Sequence, residues 1–325
     1  SYSMVQGGIA RIKDAKDAGN NLSLADGVYP RFGKPVHPAK APTAKGDLRL
    51  QAGSPAINCG NNKALPRGLA CDLSGRPRVI KDTVDIGAYE APTIVYVNQA
   101  AAGAIKDGSS WATAYADLQR ALERASVGDE IWVAKGVYKP TTESGNEARK
   151  KSFVLVEGVE IYGGFDGTET RRDQRDWNAY QTTLSGALGK NGDNSDNSYH
   201  VITGKGLTDA TVLDGFTITD GNANGEDYSW RSGGGLYCNG SGSGTQCSPT
   251  LRNLTFSDNY AKYGGAIYND GTSGGVSSPM LTNVTFSRNT SDQSGGAIYN
   301  GGSNGTSSPT LTNVNDFRAI LIDRK

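Results

Sequence analysis

Short runs in which apolar and polar residues alternate, separated by Gly, Asn and Ser, fill the carboxyl-terminal part of the chain. The run at 248–256 returns at 278–286 and begins again at 308–314, and the run at 264–269 returns at 295–300. A fixed period of this size is the signature of a repeat architecture. No copy has room for a packed helix, and one copy cannot bury its apolar side chains unless it is stacked on another. Each copy is therefore predicted to form one coil of a parallel β-solenoid.

Three asparagines occupy the same place in successive copies, namely Asn253, Asn283 and Asn313. In a solenoid they would stack at about the 4.8 Å spacing of strands. Asparagine tolerates the left-handed backbone of a sharp bend, and stacked Asn side chains hydrogen-bond along the column. We therefore predict an asparagine ladder. The alternative, three ordinary loop asparagines, is disfavoured by the constant register with flanking Leu and Thr.

Three tyrosines, Tyr237, Tyr268 and Tyr299, recur at a spacing of 31 and should form a second column. They alternate with Ile267 and Ile298, which we assign to the interior, so the tyrosines are predicted to point outward. An outward column would be an aromatic strip able to contact sugars or a partner. An inward column would belong to the core.

The stretch 93–140 begins and ends with strand-like runs. Between them, Tyr115, Leu118 and Leu122 have the spacing of an amphipathic helix. This order resembles the amino-terminal cap of pectate-lyase-like β-helices. The resemblance implies that the helix covers the open end of the first coil and shields its unpaired edge.

The resulting prediction is an all-β chain, a right-handed parallel β-helix (pectate-lyase-like solenoid) with a short amphipathic capping helix. It occupies 93–325. Irregular coils at 150–240 follow the cap and precede the 30-residue repeats at 248–314.

Residues 1–92 do not repeat. A Gly-Ser-Pro-Ala-Ile segment at 53–57 and a Val-Asp-Ile-Gly-Ala-Tyr-Glu segment at 84–90 are their most distinctive features. These segments resemble the carboxyl-terminal end of bacterial surface β-helix proteins with a choice-of-anchor domain. The resemblance implies that 1–92 is a closing segment of a β-helix.

Two motifs mark the regular repeats. F-x-x-N begins at Phe256 and Phe286, and G-G-A-I begins at Gly264 and Gly295. Together they resemble the repeats of chlamydial polymorphic outer-membrane adhesins, over the two full repeats alone. The resemblance implies a surface-exposed, adhesin-like protein.

Composition agrees with a turn-rich β protein, because 44 of 325 residues are Gly while 36% are still apolar. The 33 basic and 33 acidic residues cancel, and the absence of a basic stripe argues against nucleic acid as a partner. No apolar run approaches the length of a membrane span, and no signal peptide opens the chain.

Four cysteines fall into two local pairs, Cys59 with Cys71 and Cys238 with Cys247. Neither pair has C-x-x-C spacing, and two histidines are too few to favour a zinc site. Local pairs that close short loops fit disulfides in an oxidising compartment. The alternative is four buried free thiols.

Candidate chemistry is sparse. A glycosidase needs two carboxylates at a suitable separation, but Asp258, Asp270 and Asp292 occupy turn-like positions and form no column. The charged segment (171–177) could bind an anionic sugar, although a solvated loop with internal ion pairs explains it better. Neither histidine has an evident partner for nucleophilic catalysis. No catalytic or cofactor-binding residue is therefore predicted.

One stretch could hold a cation. Asp193, Ser195 and Asn197 place oxygen side chains at alternate positions, as the start of a Ca²⁺ loop does. The Gly and the terminal Glu of an EF-hand loop are missing. The alternative is a turn rich in Asp and Asn.

These features predict an extracellular or cell-surface bacterial protein of adhesin or structural type, without enzymatic activity. Its predicted partners are itself and, beyond that, glycans or a host surface. The alternative is a carbohydrate-active β-helix enzyme, either a polysaccharide lyase or a glycosidase. Acidic and basic side chains that converge in one groove would favour the enzyme.

The order of the parts predicts self-assembly. An end-type segment precedes a start-type cap, and the repeat pattern stops after 314 without a closing block. We expect residues 1–92 of one subunit to complete the β-helix of the next, because an open edge is a template for another chain. A head-to-tail contact that does not close gives a filament; the alternative is a fragment of a longer tandem array. The residues predicted at the contact are Tyr2, Met4, Val5, Leu311 and Val314.

Overall fold

The computed structural model describes residues 4–6, 22–24, 32–34, 47–50, 54–73, 77–79, 83–141, 148–189, 193–315 and 320–323. They belong to two compact units, Ser1–Thr93 and Ile94–Lys325. The sequence predicts a division after residue 92, and the roles of closing segment and cap stay predictions. Each unit has its own core of buried apolar side chains.

The first unit has four short described strands: β1 (Met4–Gln6), β2 (Leu22–Leu24), β3 (Phe32–Lys34) and β4 (Asp47–Leu50). β1 pairs in parallel with β2, and β3 pairs antiparallel with β4. A small core gathers around Leu50, Ala56 and Ala91.

Buried carboxylates hold the end of this unit together. Asp85 accepts hydrogen bonds from the backbone N–H groups of Asn58 and Ala91, each over 2.6 Å. Glu90 accepts from the N–H of Asp85 and from Arg78. Burial raises the pKa of the Glu90 carboxyl to about 7, although the Asp85 N–H and Arg78 act in the opposite direction.

In the described residues, the second unit has one α-helix, α1 (Leu118–Arg124). Its strands are β5 (Ile94–Val97), β6 (Glu130–Ala134), β7 (Gly136–Tyr138), β8 (Phe153–Val154), β9 (Glu160–Phe165), β10 (Thr182–Ser185), β11 (Ile202–Lys205), β12 (Val212–Asp214), β13 (Thr217–Thr219), β14 (Asn222–Ala223), β15 (Leu236–Asn239), β16 (Thr250–Ser257), β17 (Tyr260–Tyr263), β18 (Ile267–Asp270), β19 (Met280–Ser287), β20 (Thr290–Ser294), β21 (Ile298–Gly301), β22 (Thr310–Asn315) and β23 (Ile320–Asp323).

The described strands of this unit pair in parallel and stack as a β-solenoid of about seven turns. One wall consists of β8, β11, β15, β18, β21 and β23, in that order. β14, β17 and β20 form a short wall, and the remaining strands form a sheet that bends at a corner. The predicted fold class is thereby confirmed, while the right hand of the coil stays a prediction.

The corner lies in the middle of β16, β19 and β22. Asn253, Asn283 and Asn313 stand there with φ values of 50°, 54° and 49°. Before the corner β16 pairs with β12, and after it with β13. Gly215, with φ 87°, lies between β12 and β13. A single residue with a left-handed backbone thus bends the strand, so its two halves belong to different faces of the solenoid. Asn and Gly tolerate that backbone best.

Apolar columns run along the inside of the stack. Leu213, Leu251 and Leu281 are successive strand partners and are all fully buried. In a neighbouring column, the rings of Phe256 and Phe286 stack with their centroids 5.5 Å apart. Each coil therefore covers the apolar face of the coil before it, and the core extends through the whole stack.

Helix α1 covers one end of this core. Asp117 caps it by accepting a hydrogen bond from the Gln119 N–H over 2.8 Å, and Leu118, Ala121 and Leu122 are buried. The helix packs against β5, β6 and β8. This is the position that the resemblance to β-helix caps implies.

Candidate functional site

The asparagine ladder lies on the outside of the solenoid, along the corner of β16, β19 and β22. Asn283 Nδ2 donates to Asn253 Oδ1 over 3.0 Å, and Asn313 Nδ2 donates to Asn283 Oδ1 over 2.7 Å. Asn283 and Asn313 are exposed. The chain of amides links the left-handed corners of successive coils.

A buried ion pair supports the first rung. Asn253 Nδ2 donates to Asp214 Oδ1 over 2.8 Å, and Arg175 Nη2 lies 2.8 Å from the same oxygen. Arg175 also donates to the carbonyl of Gly163. The side chains of Arg175 and Asp214 are only 9% and 7% exposed. Gly215 leaves room for the guanidinium, because a Cβ there would lie 2.7 Å from Nη1.

The charged segment is only partly the solvated loop that we predicted. Arg171 pairs with Asp173 within the segment, and both side chains are exposed. Arg172, however, donates to Glu130 over 2.8 Å, and Arg175 is buried against Asp214. The segment is therefore fastened to the solenoid by two of its arginines, which sequence spacing did not indicate.

Two carboxylates meet beneath this segment. Glu130 and Glu160 are partners on adjacent strands, and Arg172 Nη1 lies 2.8 Å and 3.3 Å from their respective oxygens. Trp132 and Tyr162 donate one hydrogen bond each, to Glu130 and Glu160 respectively. Glycoside hydrolysis needs one carboxyl as acid and another as base or nucleophile. Here one guanidinium bridges the two carboxylates, and each carboxylate also accepts a hydrogen bond from an aromatic side chain, which favours a structural role.

The carboxylates of the regular coils are also engaged by neighbours, as their side-chain contacts demonstrate. Arg288 makes two hydrogen bonds of 2.6 Å to Asp258, and this ion pair lowers the pKa of the Asp258 carboxyl. Asp270 accepts from Tyr237 over 2.9 Å, and Asp292 accepts from Tyr260.

Two further asparagine ladders were not predicted, although the repeated motifs contain them. Asn259 Nδ2 donates to Asn289 Oδ1 over 3.0 Å at the end of F-x-x-N. Asn269 Nδ2 donates to Asn300 Oδ1 over 2.8 Å inside the wall that contains β18 and β21. Asn269 and Asn300 are fully buried. The recurrence of Asn after Ala-Ile-Tyr was the available signal.

Tyr237, Tyr268 and Tyr299 form a separate cluster outside the main core. Tyr268 and Tyr299 stack with ring centroids 5.2 Å apart and planes 7° apart. The alternation with Ile267 was therefore sound. The predicted exposed strip is nevertheless wrong, because the three tyrosines are buried, with Tyr268 at 0% exposure.

The cover of the tyrosine column comes from other parts of the chain. The Tyr228 hydroxyl lies 2.8 Å from the Tyr268 hydroxyl, and the Tyr263 ring packs edge-on against Tyr299. Burial raises the pKa values of the Tyr237 and Tyr268 hydroxyls far above their ordinary value, so both stay protonated. The column is a second, aromatic core rather than a binding strip.

His200 lies at one end of this aromatic core. Its ring stacks between Trp230 and Tyr237, at centroid distances of 5.5 Å and 5.2 Å. Nδ1 is 2.9 Å from the Gly233 carbonyl, which can only accept, so Nδ1 carries the proton. Nε2 is buried and has no hydrogen-bond partner among the described residues. Burial lowers the pKa of the imidazole to about 4, against the influence of the carbonyl.

We expect His200 to make folding sensitive to acid. The unfolded chain binds this proton near pH 6.5 and the folded chain near pH 4. The contribution of the neutral imidazole to the free energy of unfolding is therefore fully present above about pH 6.5, and about 3 kcal/mol of it is lost as the pH drops to 4. Urea unfolding at pH 7 and pH 4 should show a smaller pH effect in His200→Gln than in the parent chain. Equal pH effects in the two proteins would contradict the buried neutral imidazole.

Cys238 and Cys247 form a disulfide, with Cα atoms 5.5 Å apart and both residues at 0% exposure. Cys238 is the strand partner of Asn269. Gln246 bridges Val276 in parallel, so the residue after it, Cys247, lies opposite Ser277 of the following coil. The disulfide thus occupies the interior position that Asn269 and Ser277 take in the following coil.

The predicted pairing of Cys59 with Cys71 is not formed, and both are exposed free thiols. Cys71 lies in an antiparallel bridge with Pro77. Gly60, directly after Cys59, donates instead to the carbonyl of Val84. Different neighbours therefore hold the two segments, and short separation in sequence was an insufficient guide.

Removing the disulfide measures how much it contributes to the stability of the solenoid. Cys238→Ala with Cys247→Ala should lower the free energy of unfolding by about 2 to 3 kcal/mol, because the unfolded chain regains the freedom of the closed loop. Cys238→Asn with Cys247→Ser should lose less, since an amide there can pair with Asn269 Oδ1, which has no hydrogen-bond partner among the described residues. Denaturant unfolding compares the two; a larger loss in the Asn/Ser protein would refute the equivalence of the coils.

The calcium candidate forms a turn. Asp193 Oδ1 accepts from the Ser195 N–H over 2.8 Å, and Asn197 Nδ2 donates to the Asp220 carbonyl over 2.8 Å. Hydrogen bonds from Ser195 lower the pKa of the Asp193 carboxyl. In the described part of the chain, no group of three or more His, Cys, Asp or Glu side chains is arranged to hold a metal. The geometry matches the Asx-rich alternative.

The predicted assembly residues lie in both units. Met4 and Val5 belong to β1, and Tyr2 lies outside the described residues. Leu311 is half-buried and Val314 is buried in β22. Among the described strands, β22 pairs with β19 alone.

Within the described part of the chain, no helix combines the length and the hydropathy that a membrane crossing requires.

One family model matches segments of the regular coils. Residues 253–270 and 283–301 match the family model of the Chlamydia polymorphic membrane protein repeat. No curated protein and no solved structure matches the chain. The matched segments contain both F-x-x-N and G-G-A-I, so the resemblance predicted from these motifs is confirmed over those residues.

Proposed function

We propose that this protein is a non-enzymatic β-solenoid of the extracellular bacterial surface, with an adhesin-like or structural role. The observation that carries the proposal is the match of 253–270 and 283–301 to the polymorphic membrane protein repeat. The matched residues are two stacked coils whose corners are joined by asparagine ladders. A stack of coils is a rigid, extended surface suited to contact with a large partner.

Adhesion can be measured directly. Beads coated with the protein should bind host-cell or glycan-coated surfaces more strongly than beads coated with Leu281→Asp, in which we expect the coils to unfold. Equal binding would overturn the adhesin role. Depolymerisation of polygalacturonate or another uronan by the purified protein would instead favour the lyase alternative.

We further propose that the molecules assemble head to tail, with residues 1–92 of one completing the solenoid of the next. The resemblance of 1–92 to a β-helix closing segment supports this, as does the β22 edge, which has no second partner among the described strands. An open parallel edge is a template for another strand.

Light scattering over a concentration series should show a mean molar mass that grows with concentration, and deletion of 1–92 should abolish this growth. A full chain that stays monomeric at high concentration would rule assembly out.

A further inference from the structure

We propose that β1 of one molecule replaces β23 on the edge of β21 in the next molecule, with Gln6 opposite Asn300. The inference rests on the proposed head-to-tail assembly and specifies the strand and the register of that contact.

The incomplete group is the side chain of Asn300. Its Oδ1 accepts from Asn269 Nδ2 over 2.8 Å, so the ladder approaches it from β18. Asn300 is 1% exposed, and its Nδ2 has no hydrogen-bond partner among the described residues. The next strand, β23, places Ile322 at the facing position. Isoleucine has no polar side-chain atom, so β23 cannot continue the ladder, and a buried donor without an acceptor disfavours the arrangement.

β1 has the residue types that this edge requires. In β21, Ile298 and Tyr299 precede Asn300, and in β1, Met4 and Val5 precede Gln6. Among the described strands of the first unit, β1 is the one with a carboxamide in this place. A glutamine side chain offers both an acceptor and a donor, so it can accept from Asn300 and extend the ladder. Pairing Gln6 with Asn300 also sets Met4 opposite Ile298.

The topology of β1 also suits addition to a parallel stack. β1 pairs in parallel with β2, and its second edge has no partner among the described strands. Docked on β21, β1 would form one further rung and β2 the rung after it. β23 pairs with β21 alone in the described residues, so its displacement breaks a single strand pairing and the exchange replaces that pairing with another.

Engineered cysteines test the register. In a Cys59→Ser, Cys71→Ser background, Gln6→Cys with Asn300→Cys should produce disulfide-linked multimers on a non-reducing gel, because facing residues of neighbouring strands are about 4.8 Å apart. The matched control, Val5→Cys with Asn300→Cys, should give none, since adjacent residues of a strand point to opposite faces.

Separately, Gln6→Leu should raise the dissociation constant of assembly about tenfold.

The outcomes separate this inference from the proposal beneath it. Growing mass in light scattering without the cross-link, and without an effect of Gln6→Leu, would overturn the register and leave head-to-tail assembly standing. A cross-linked monomer would overturn the exchange, because β1 would then return to its own molecule. A full chain that never assembles would overturn both.

Discussion

Replacing Leu281 with Asp should lower the free energy of unfolding by about 4 kcal/mol or more. Leu281 is 1% exposed and pairs with Leu251 on one side and Leu311 on the other. A carboxylate in this column would be enclosed by apolar side chains. We expect thermal unfolding followed by far-ultraviolet circular dichroism to start at a much lower temperature, or the coils to be unfolded throughout.

Arg288→Asp is the matched control, since it introduces the same side chain at the left-handed corner that directly follows β19. The Arg288 side chain is 71% exposed, and its φ of 53° is a backbone that Asp tolerates. The variant loses the ion pair with Asp258, but water screens the charges that remain. Its unfolding temperature should stay near that of the parent chain. Two equally destabilised variants would refute the assignment of Leu281 to the interior.

Arg175→Gln should cost about 4 kcal/mol, because it leaves the Asp214 carboxylate buried without its main counter-charge. Asp214 is 7% exposed, and Arg252, at 3.8 Å, is a distant substitute. Asp214 also accepts from Asn253 at the first rung of the ladder. The loss should therefore destabilise the corner of β16, which amide hydrogen exchange can locate.

Arg171→Gln is the control for Arg175→Gln. It removes an arginine of the same segment whose ion pair is exposed instead of buried. Arg171 pairs with Asp173, but the two side chains are 52% and 64% exposed. Pairs of this kind contribute little to stability. We therefore expect denaturant unfolding close to that of the parent chain, whereas a loss equal to that of Arg175→Gln would show that the ion pair of Arg175 is no stronger than a surface pair.

The sequence by itself determined the solenoid and the asparagine ladder. Both depend on short-range information repeated at a fixed period: alternation assigns Leu281 to the interior, and a constant register sets Asn283 between Asn253 and Asn313. Stacking identical coils leaves few other arrangements for such residues. The F-x-x-N and G-G-A-I motifs carried the family resemblance for the same reason.

Only the tertiary structure decided what covers each outward residue. The alternation of apolar and polar residues correctly predicted that Tyr268 points away from the main core. Tyr228, from a non-repeating loop, nevertheless packs over it and buries it. Arg175 reaches Asp214 across 39 residues of chain, and no local spacing encodes that contact. Burial and charge pairing depend on where non-repeating segments fold back, and these segments have no periodic copy from which their position could be predicted.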